Sequence, residues 1–305
     1  MFLENMVQYG VMPNCTNRCD FCLRLEQQPI SIADIIKRIN HIKYNLDYVD
    51  WQGKFSRGIS LLGGEIYGLI DQEYQLAFLS LIDDIITKVL KSNKREIGWS
   101  KYSTVTNGIY DPSFLFMCCD KIIQECGICV LDVNFSYDLK YRYKDETTRL
   151  LVLENINKFS KRYNYKTGVQ MILTQYVIDS IFSGIWNIKK FIEDDIPGNQ
   201  LVFLYPHPIH TGKILNDFFF KRKDFLNFLI WLEFKFPDIY NTTVSSIKYS
   251  GTFKHTGLFD PNEPADQSPR LADGKEILQE KCGHSILYNC YSDSNKCMLC
   301  DIQGL

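Results

Sequence analysis

Apolar residues along this chain alternate between two spacings. Short β-prone runs recur, and each precedes a longer segment with apolar side chains three and four residues apart. Met6–Met12 reads as a strand, broken by Pro13 and Asn14. Ser31 predicts a helix N-cap, with Ile32, Ile35, Ile36 and Ile39 on one face of that helix. A second strand is expected over residues 58–62. An amphipathic helix then runs from about Asp71 to Leu90, with Leu76, Leu79, Ile82, Ile86 and Leu90 at helical spacing. The same reading predicts strands over 99–105, 128–135, 168–174 and 201–205. It predicts helices from Pro112, over 147–163, around 181–192 and over 221–236. Six strands alternating with six helices imply parallel strands covered by helices, in an open doubly wound sheet or a barrel-like arrangement. From Pro237 the pattern changes. Residues 248–269 are rich in Gly, Pro, Thr and Asn and read as loop, and a cysteine-rich tail follows. That tail is too small to form a core without a metal or docking.

Composition narrows the class. The chain's 305 residues suffice for one large core, alone or with a small appendage. A hydrophobic content of 45% and a charged content of 23% suit a soluble globular protein. The most apolar stretch, 225–236, is short and carries Glu233 and Lys235, so no membrane span is expected. The start of the chain lacks the pattern of a signal peptide, and the expected location is cytoplasmic. A net charge of −2 gives no global attraction to nucleic acid. The eleven cysteines are clustered: Cys15, Cys19 and Cys22; Cys118, Cys119, Cys126 and Cys129; and Cys282, Cys290, Cys297 and Cys300. In a reducing compartment such clusters favour metal ligation over disulfides.

The first cluster, Cys15-x3-Cys19-x2-Cys22, puts three thiolates on one short loop. They can hold a soft metal centre with one coordination position left open. Three unrelated cysteines or a partial zinc site would give the same letters. Other unusual residues also fall at strand ends, where parallel α/β proteins gather their ligands. Gly63-Gly64-Glu65 follows the second strand, Thr106-Asn107-Gly108 the third, and Ser136 with Asp138 the fourth. Each taken singly is equally a turn.

Together these residues resemble the radical S-adenosylmethionine (radical SAM) enzymes, over roughly residues 6–206. The resemblance implies a partial (β/α)6 TIM-like barrel over 1–236, with a small Cys-rich extension over 237–305. It implies a [4Fe–4S] cluster on Cys15, Cys19 and Cys22, with the fourth iron chelated by S-adenosylmethionine. Gly63, Gly64 and Glu65 would hold the methionyl amino group; Ile66 stands where many members have Pro. Thr106 and Asn107 would lie near the ligand, Ser136 and Asp138 near its ribose and carboxylate, and the main chain at Phe21 and strand six near its adenine. The implied reaction is reductive cleavage to methionine and a 5′-deoxyadenosyl radical that abstracts hydrogen from substrate. A flavodoxin or ferredoxin would supply the electron.

Asp273-Gly274-Lys275 and the four cysteines Cys282, Cys290, Cys297 and Cys300 resemble the SPASM and twitch extensions of peptide-modifying members. They imply one auxiliary Fe–S cluster, or a zinc site in which His284 could replace a cysteine. Peptide or protein modification is therefore the expected activity. Nucleobase, nucleoside or RNA modification is the alternative, on the strength of Lys140-Tyr141-Arg142-Tyr143-Lys144, where bases and aromatics interleave. A non-catalytic Fe–S or zinc sensor is a third reading. His207 and His210 follow strand six as candidate substrate or proton contacts, with a polar loop the equal alternative. Cys118, Cys119, Cys126 and Cys129 read as small buried hydrophobes.

Overall fold

The computed structural model describes residues 6–12, 15, 17, 19, 30–48, 58–91, 101–204 and 222–249. Six strands form one sheet, in the order β1 (Met6–Met12), β2 (Gly58–Gly63), β3 (Lys101–Thr106), β4 (Leu131–Tyr137), β5 (Gly168–Ile172) and β6 (Gln200–Leu204). Neighbours β1/β2, β2/β3 and β5/β6 run parallel. Each strand lies beside the one before it, with no reversal of order. A doubly wound sheet would show that reversal, so the arrangement is that of a (β/α) barrel left open between β1 and β6. The helices are α1 (Ile32–Asn45), α2 (Gln72–Ile85), α3 (Ser113–Cys126), α4 (Glu146–Tyr163), α5 (Gln175–Phe182), α6 (Ile188–Lys190), α7 (Arg222–Lys235) and α8 (Pro237–Tyr249).

The described residues fall into two compact units. One holds β1 to β3, α1 to α3 and β4 as far as Asn134; the other begins at Phe135 and includes Asn17 and Cys19. In the first unit, Ser31 caps α1 by accepting the Asp34 N–H at 3.1 Å, and Ile35, Ile39 and Ile42 form its buried face. Asp71 caps α2 in the same way, through the Tyr74 N–H at 2.9 Å. The α-helical geometry of α2 ends at Ile85, and residues Ile86–Leu90 continue as a wider π turn. There the Thr87 hydroxyl bonds back to the Asp83 carbonyl at 2.9 Å, which loosens the regular ladder. Tyr67, Tyr74, Phe78 and Phe114 pack ring against ring, with centroids 5.7 to 6.2 Å apart. This cluster joins α2 and α3 to the loop after β2.

Three expectations change. Residues 128–130 form a 3-10 turn, and β4 begins only at Leu131. Gly127, at φ +84°, ends α3 and turns the chain so that an apolar run continues without being strand. The helix expected around 181–192 starts earlier, at Gln175. Thr174 caps it through the Val177 N–H at 3.2 Å, and the helical pattern breaks after Phe182 before α6. The third change is α8, which occupies the first thirteen residues of the segment expected to be loop-rich. Its Thr243 hydroxyl accepts the N–H of Phe203 on β6 at 3.3 Å, and Thr242 accepts from the Gln200 amide at 2.7 Å.

Candidate functional site

Two sets of polar side chains stand out, one in each unit. In the first, the loop after β2 is folded tightly against the end of β1. The Gly64 N–H donates to the Met12 carbonyl at 2.8 Å. A Cβ on Gly63 would meet that same carbonyl oxygen, and Ile66 Cγ1, at 3.0 Å, so a larger residue would need both to give way by a few tenths of an ångström. Glu65 is therefore aimed across the sheet to β3. Its carboxylate accepts the Thr106 hydroxyl at 2.9 Å, the Asn107 N–H at 2.7 Å and the Tyr67 N–H at 3.1 Å. Only 4% of Glu65 is exposed, so these are charge-assisted bonds in a region poor in water.

The Asn107 side-chain amide in turn points Nδ2 at the Cys15 Sγ, 3.7 Å away, and Cys15 is half-buried. Residues from the ends of β1, β2 and β3 thus meet at one spot. Behind them, Tyr67 bonds the hydroxyls of Tyr102 at 2.7 Å and Thr104 at 3.1 Å. Tyr74 donates to the Ile66 carbonyl at 2.7 Å. Burial pushes the phenols of Tyr67, Tyr74 and Tyr102 well above their ordinary range, so they stay neutral. Ile66, next in sequence after Glu65, is buried.

In the second unit, Cys19 is buried against Tyr141, Ile172 and Tyr176. The Asn17 amide donates to its sulfur at 3.2 Å. Amide N–H groups directed at sulfur favour the thiolate and tune a bound metal. Asp138, just past β4, is buried. Its Oδ1 accepts the N–H groups of Lys140 at 2.7 Å and Tyr141 at 2.5 Å, while Oδ2 is buried with no hydrogen-bond partner among the described residues. Burial raises its carboxyl pKa, opposed by the Arg142 guanidinium and the backbone N–H groups. An unpartnered buried acceptor suits a ligand hydroxyl. The Tyr143 hydroxyl donates to the Ser136 carbonyl at 3.2 Å. Tyr141 is buried, and Lys140 lies 5.1 and 4.6 Å from the ring centroids of Tyr141 and Tyr176. Within the basic–aromatic run Tyr141 is thus packed into this unit, while Lys140 and Lys144 are exposed.

Phe21, Cys22, His207, His210, His284 and the tail cysteines Cys282, Cys290, Cys297 and Cys300 lie outside the described residues. Among the described residues, no three His, Cys, Asp or Glu side chains are grouped to hold a metal. Cys118 and Cys119 are fully buried on α3, and desolvation raises both thiols well above their ordinary value. Cys126 is half-buried and Cys129, in the turn before β4, is exposed, so the expectation of four buried cysteines holds for Cys118 and Cys119 alone. Iodoacetamide at pH 8 should label Cys129 in the folded protein and spare Cys118 and Cys119 until urea is added. Peptide mass spectrometry reads this, and rapid native labelling of the pair would show that they are not core residues.

Taken unit by unit, the features that suit an Fe–S cluster and S-adenosylmethionine are a soft thiol with an amide donor in each, Cys15 with Asn107 in one and Cys19 with Asn17 in the other, and in the latter unit a buried carboxylate oxygen, Asp138 Oδ2, without a hydrogen-bond partner among the described residues.

No protein-family model matches the chain, and no curated protein does. Among solved structures it is similar to the crystal structure of Streptococcus suis SuiB, with 14% identity and a TM-score of 0.44 over 77% of this chain and 48% of that one. The chain thus spans about half the length of SuiB. It is also similar to anSMEcpe with bound AdoMet, at 17% identity and TM-score 0.47, covering 88% of this chain and 77% of that one. A third similarity is to anSMEcpe with bound AdoMet and Cp18Cys peptide, at 17% identity and TM-score 0.48, covering 88% and 74%. Strand order and strand-end motifs together make this chain resemble the radical SAM enzymes.

Proposed function

We propose that this chain is a radical SAM enzyme. The observation that carries the reading is the meeting of Cys15, Glu65, Thr106 and Asn107, which joins three motifs far apart in sequence. Isolated turns would have no reason to share one carboxylate and one amide. Cys15, Cys19 and Cys22 would bind the cluster, with the amides of Asn107 and Asn17 directed at two of the sulfurs. When bound, cluster and S-adenosylmethionine supply a one-electron reductive cleavage and, with it, hydrogen abstraction from substrate. Gly63 and Gly64 would let backbone approach the ligand's amino acid end. Glu65 holds that loop in register with β3 and would keep carboxylate charge beside it. Asp138 Oδ2 would accept a ribose hydroxyl. Buried Ile66, Tyr67 and Tyr102 keep water from the back of the loop.

The substrate we propose is a peptide or protein, on the strength of the cysteine-rich tail, which would carry a second metal site. Burial of Tyr141 against Cys19 and Ile172 favours this over a nucleobase substrate, because it takes one ring out of the run offered as a stacking platform. The test is anaerobic reconstitution with iron and sulfide, followed by dithionite and S-adenosylmethionine. 5′-Deoxyadenosine is the expected product, and none from a fully loaded protein would sink the reading. Iron near eight per chain, against about four for one [4Fe–4S] cluster, would support the auxiliary cluster.

A further inference from the structure

The cysteines of α3 and of the turn after it are of two kinds. Cys118 and Cys119 are fully buried, as small apolar side chains are. Cys126, in the last turn of α3, is half-buried, and Cys129, in the 3-10 turn before β4, is exposed. With Gly127 and Ile128 between them they make a Cys-x2-Cys pair, the spacing used by dithiol redox couples. Both stand in the first unit, at the opposite end of the strands from the Glu65 loop, and no step of the proposed reaction uses them.

The backbone brings the two sulfurs together. Gly127 leaves the helix at φ +84° and ψ 163°, a conformation that only glycine takes with ease, and its N–H closes α3 on the Ile123 carbonyl at 2.8 Å. The Cys129 Sγ lies 3.9 Å from where a Gly127 Cβ would stand, so the side chain folds back over the glycine towards the end of α3. Burial raises the Cys126 thiol above its ordinary value; the Lys91 ammonium opposes this, while Glu125 and Cys129 add to it. The two thiols are thus near enough to feel each other's charge. Each end of the turn is also tied to a neighbouring element. Lys91, just past the π turn, pairs with Glu125 at 2.5 Å, and the Lys101 ammonium of β3 donates to the Cys129 carbonyl. A held turn keeps the effective concentration of one thiol at the other high. Among the described residues no third His, Cys, Asp or Glu groups with them to complete a metal site. A two-electron couple is the chemistry open to two thiols by themselves.

We infer that Cys126 and Cys129 form a reversible disulfide by exchange with a small-molecule disulfide of the glutathione type. The exposed Cys129 thiolate attacks one sulfur of that disulfide and releases one thiolate, leaving a mixed disulfide on Cys129. The Cys126 thiolate then attacks the Cys129 sulfur and releases the second. The protein's two thiols give up two protons and two electrons, and the small disulfide takes them up as two thiols. The inference stands independent of the radical SAM reading. Its test uses the full chain, reduced, freed of reductant and equilibrated anaerobically in glutathione buffers of graded composition. Samples are quenched in acid, denatured and labelled with N-ethylmaleimide. Trypsin releases both cysteines in one peptide, residues 122–140, which holds no other cysteine. Mass spectrometry should show this peptide passing from two labels to none, lighter than the dithiol by two hydrogens, and returning to two labels after dithiothreitol. Cys126→Ser should stop at the mixed disulfide, carrying roughly tenfold or more glutathione on Cys129 than wild type in the same buffer. Two labels at every composition would overturn the inference. So would a wild-type chain that carries as much glutathione as Cys126→Ser, or a peptide 122–140 cross-linked to another cysteine peptide.

Discussion

Glu65→Ala should lower the unfolding free energy of the cluster-free protein by about 3 kcal/mol or more. The carboxylate is buried and answers two backbone N–H groups and a hydroxyl from three different residues. Truncation leaves those donors without water or acceptor, and each unsatisfied buried group costs about 1–3 kcal/mol. Glu65→Gln should be milder but still destabilising by about 1–2 kcal/mol, because its amide nitrogen would face a donor where an acceptor is needed. Urea denaturation measures both. If the two variants unfold at the wild-type midpoint, the carboxylate does not clamp β2 to β3. Any change in S-adenosylmethionine binding would then have to be read as direct contact alone. Comparing the Gln variant's stability loss with its loss of cofactor binding separates the holding role from the charge role.

Replacing Cys15, Cys19 and Cys22 together by Ala should abolish 5′-deoxyadenosine formation while leaving metal in the tail. Iron after reconstitution should fall by about four per chain, the content of one [4Fe–4S] cluster. The fold should survive, since Cys15 is only half-buried and Cys19 is one small side chain in a three-residue cluster with Tyr141 and Ile172. Retained cleavage in the triple variant would refute the ligand assignment. Asn107→Ala is the subtler companion. It removes the amide directed at the Cys15 sulfur while keeping the backbone N–H that Glu65 accepts, so a shift of the cluster's potential without loss of iron is expected.

The alternation of β-prone and helical segments was legible because each strand is buried on one side by a helix with its own apolar stripe. Where the reading went astray, a local signal competed with a periodic one. Residues 128–130 are apolar and β-prone, but the positive φ of Gly127 turns the chain before it can pair. The helix α8 lies at the start of a segment expected to be loop-rich, and hydroxyls of Thr242 and Thr243 anchor it to β6. Hydrophobic periodicity does not register such anchors. At the site, Gly63-Gly64-Glu65 and Thr106-Asn107-Gly108 were visible as motifs, but that one clamps the other was not. A glutamate beside two glycines reads as a ligand group because its one local donor, the Tyr67 N–H, does not satisfy it. Its other partners come from 41 and 42 residues away. Their position at the end of the next strand was the available hint. The tyrosine network behind the loop had no signature, since buried Tyr looks like any aromatic until its hydroxyl partner is known.

The bond from Phe203 to Thr243 bears on how this protein keeps to itself. An open sheet has two borders, and a border strand with unanswered backbone groups invites a strand from another molecule. At β6 a helix side chain answers a backbone N–H that a seventh strand would otherwise claim. Self-association by strand addition, and templated aggregation of the kind that begins at bare borders, are thereby disfavoured on that flank. A barrel that stops short of closure can then stay open for a bulky reactant without becoming sticky there.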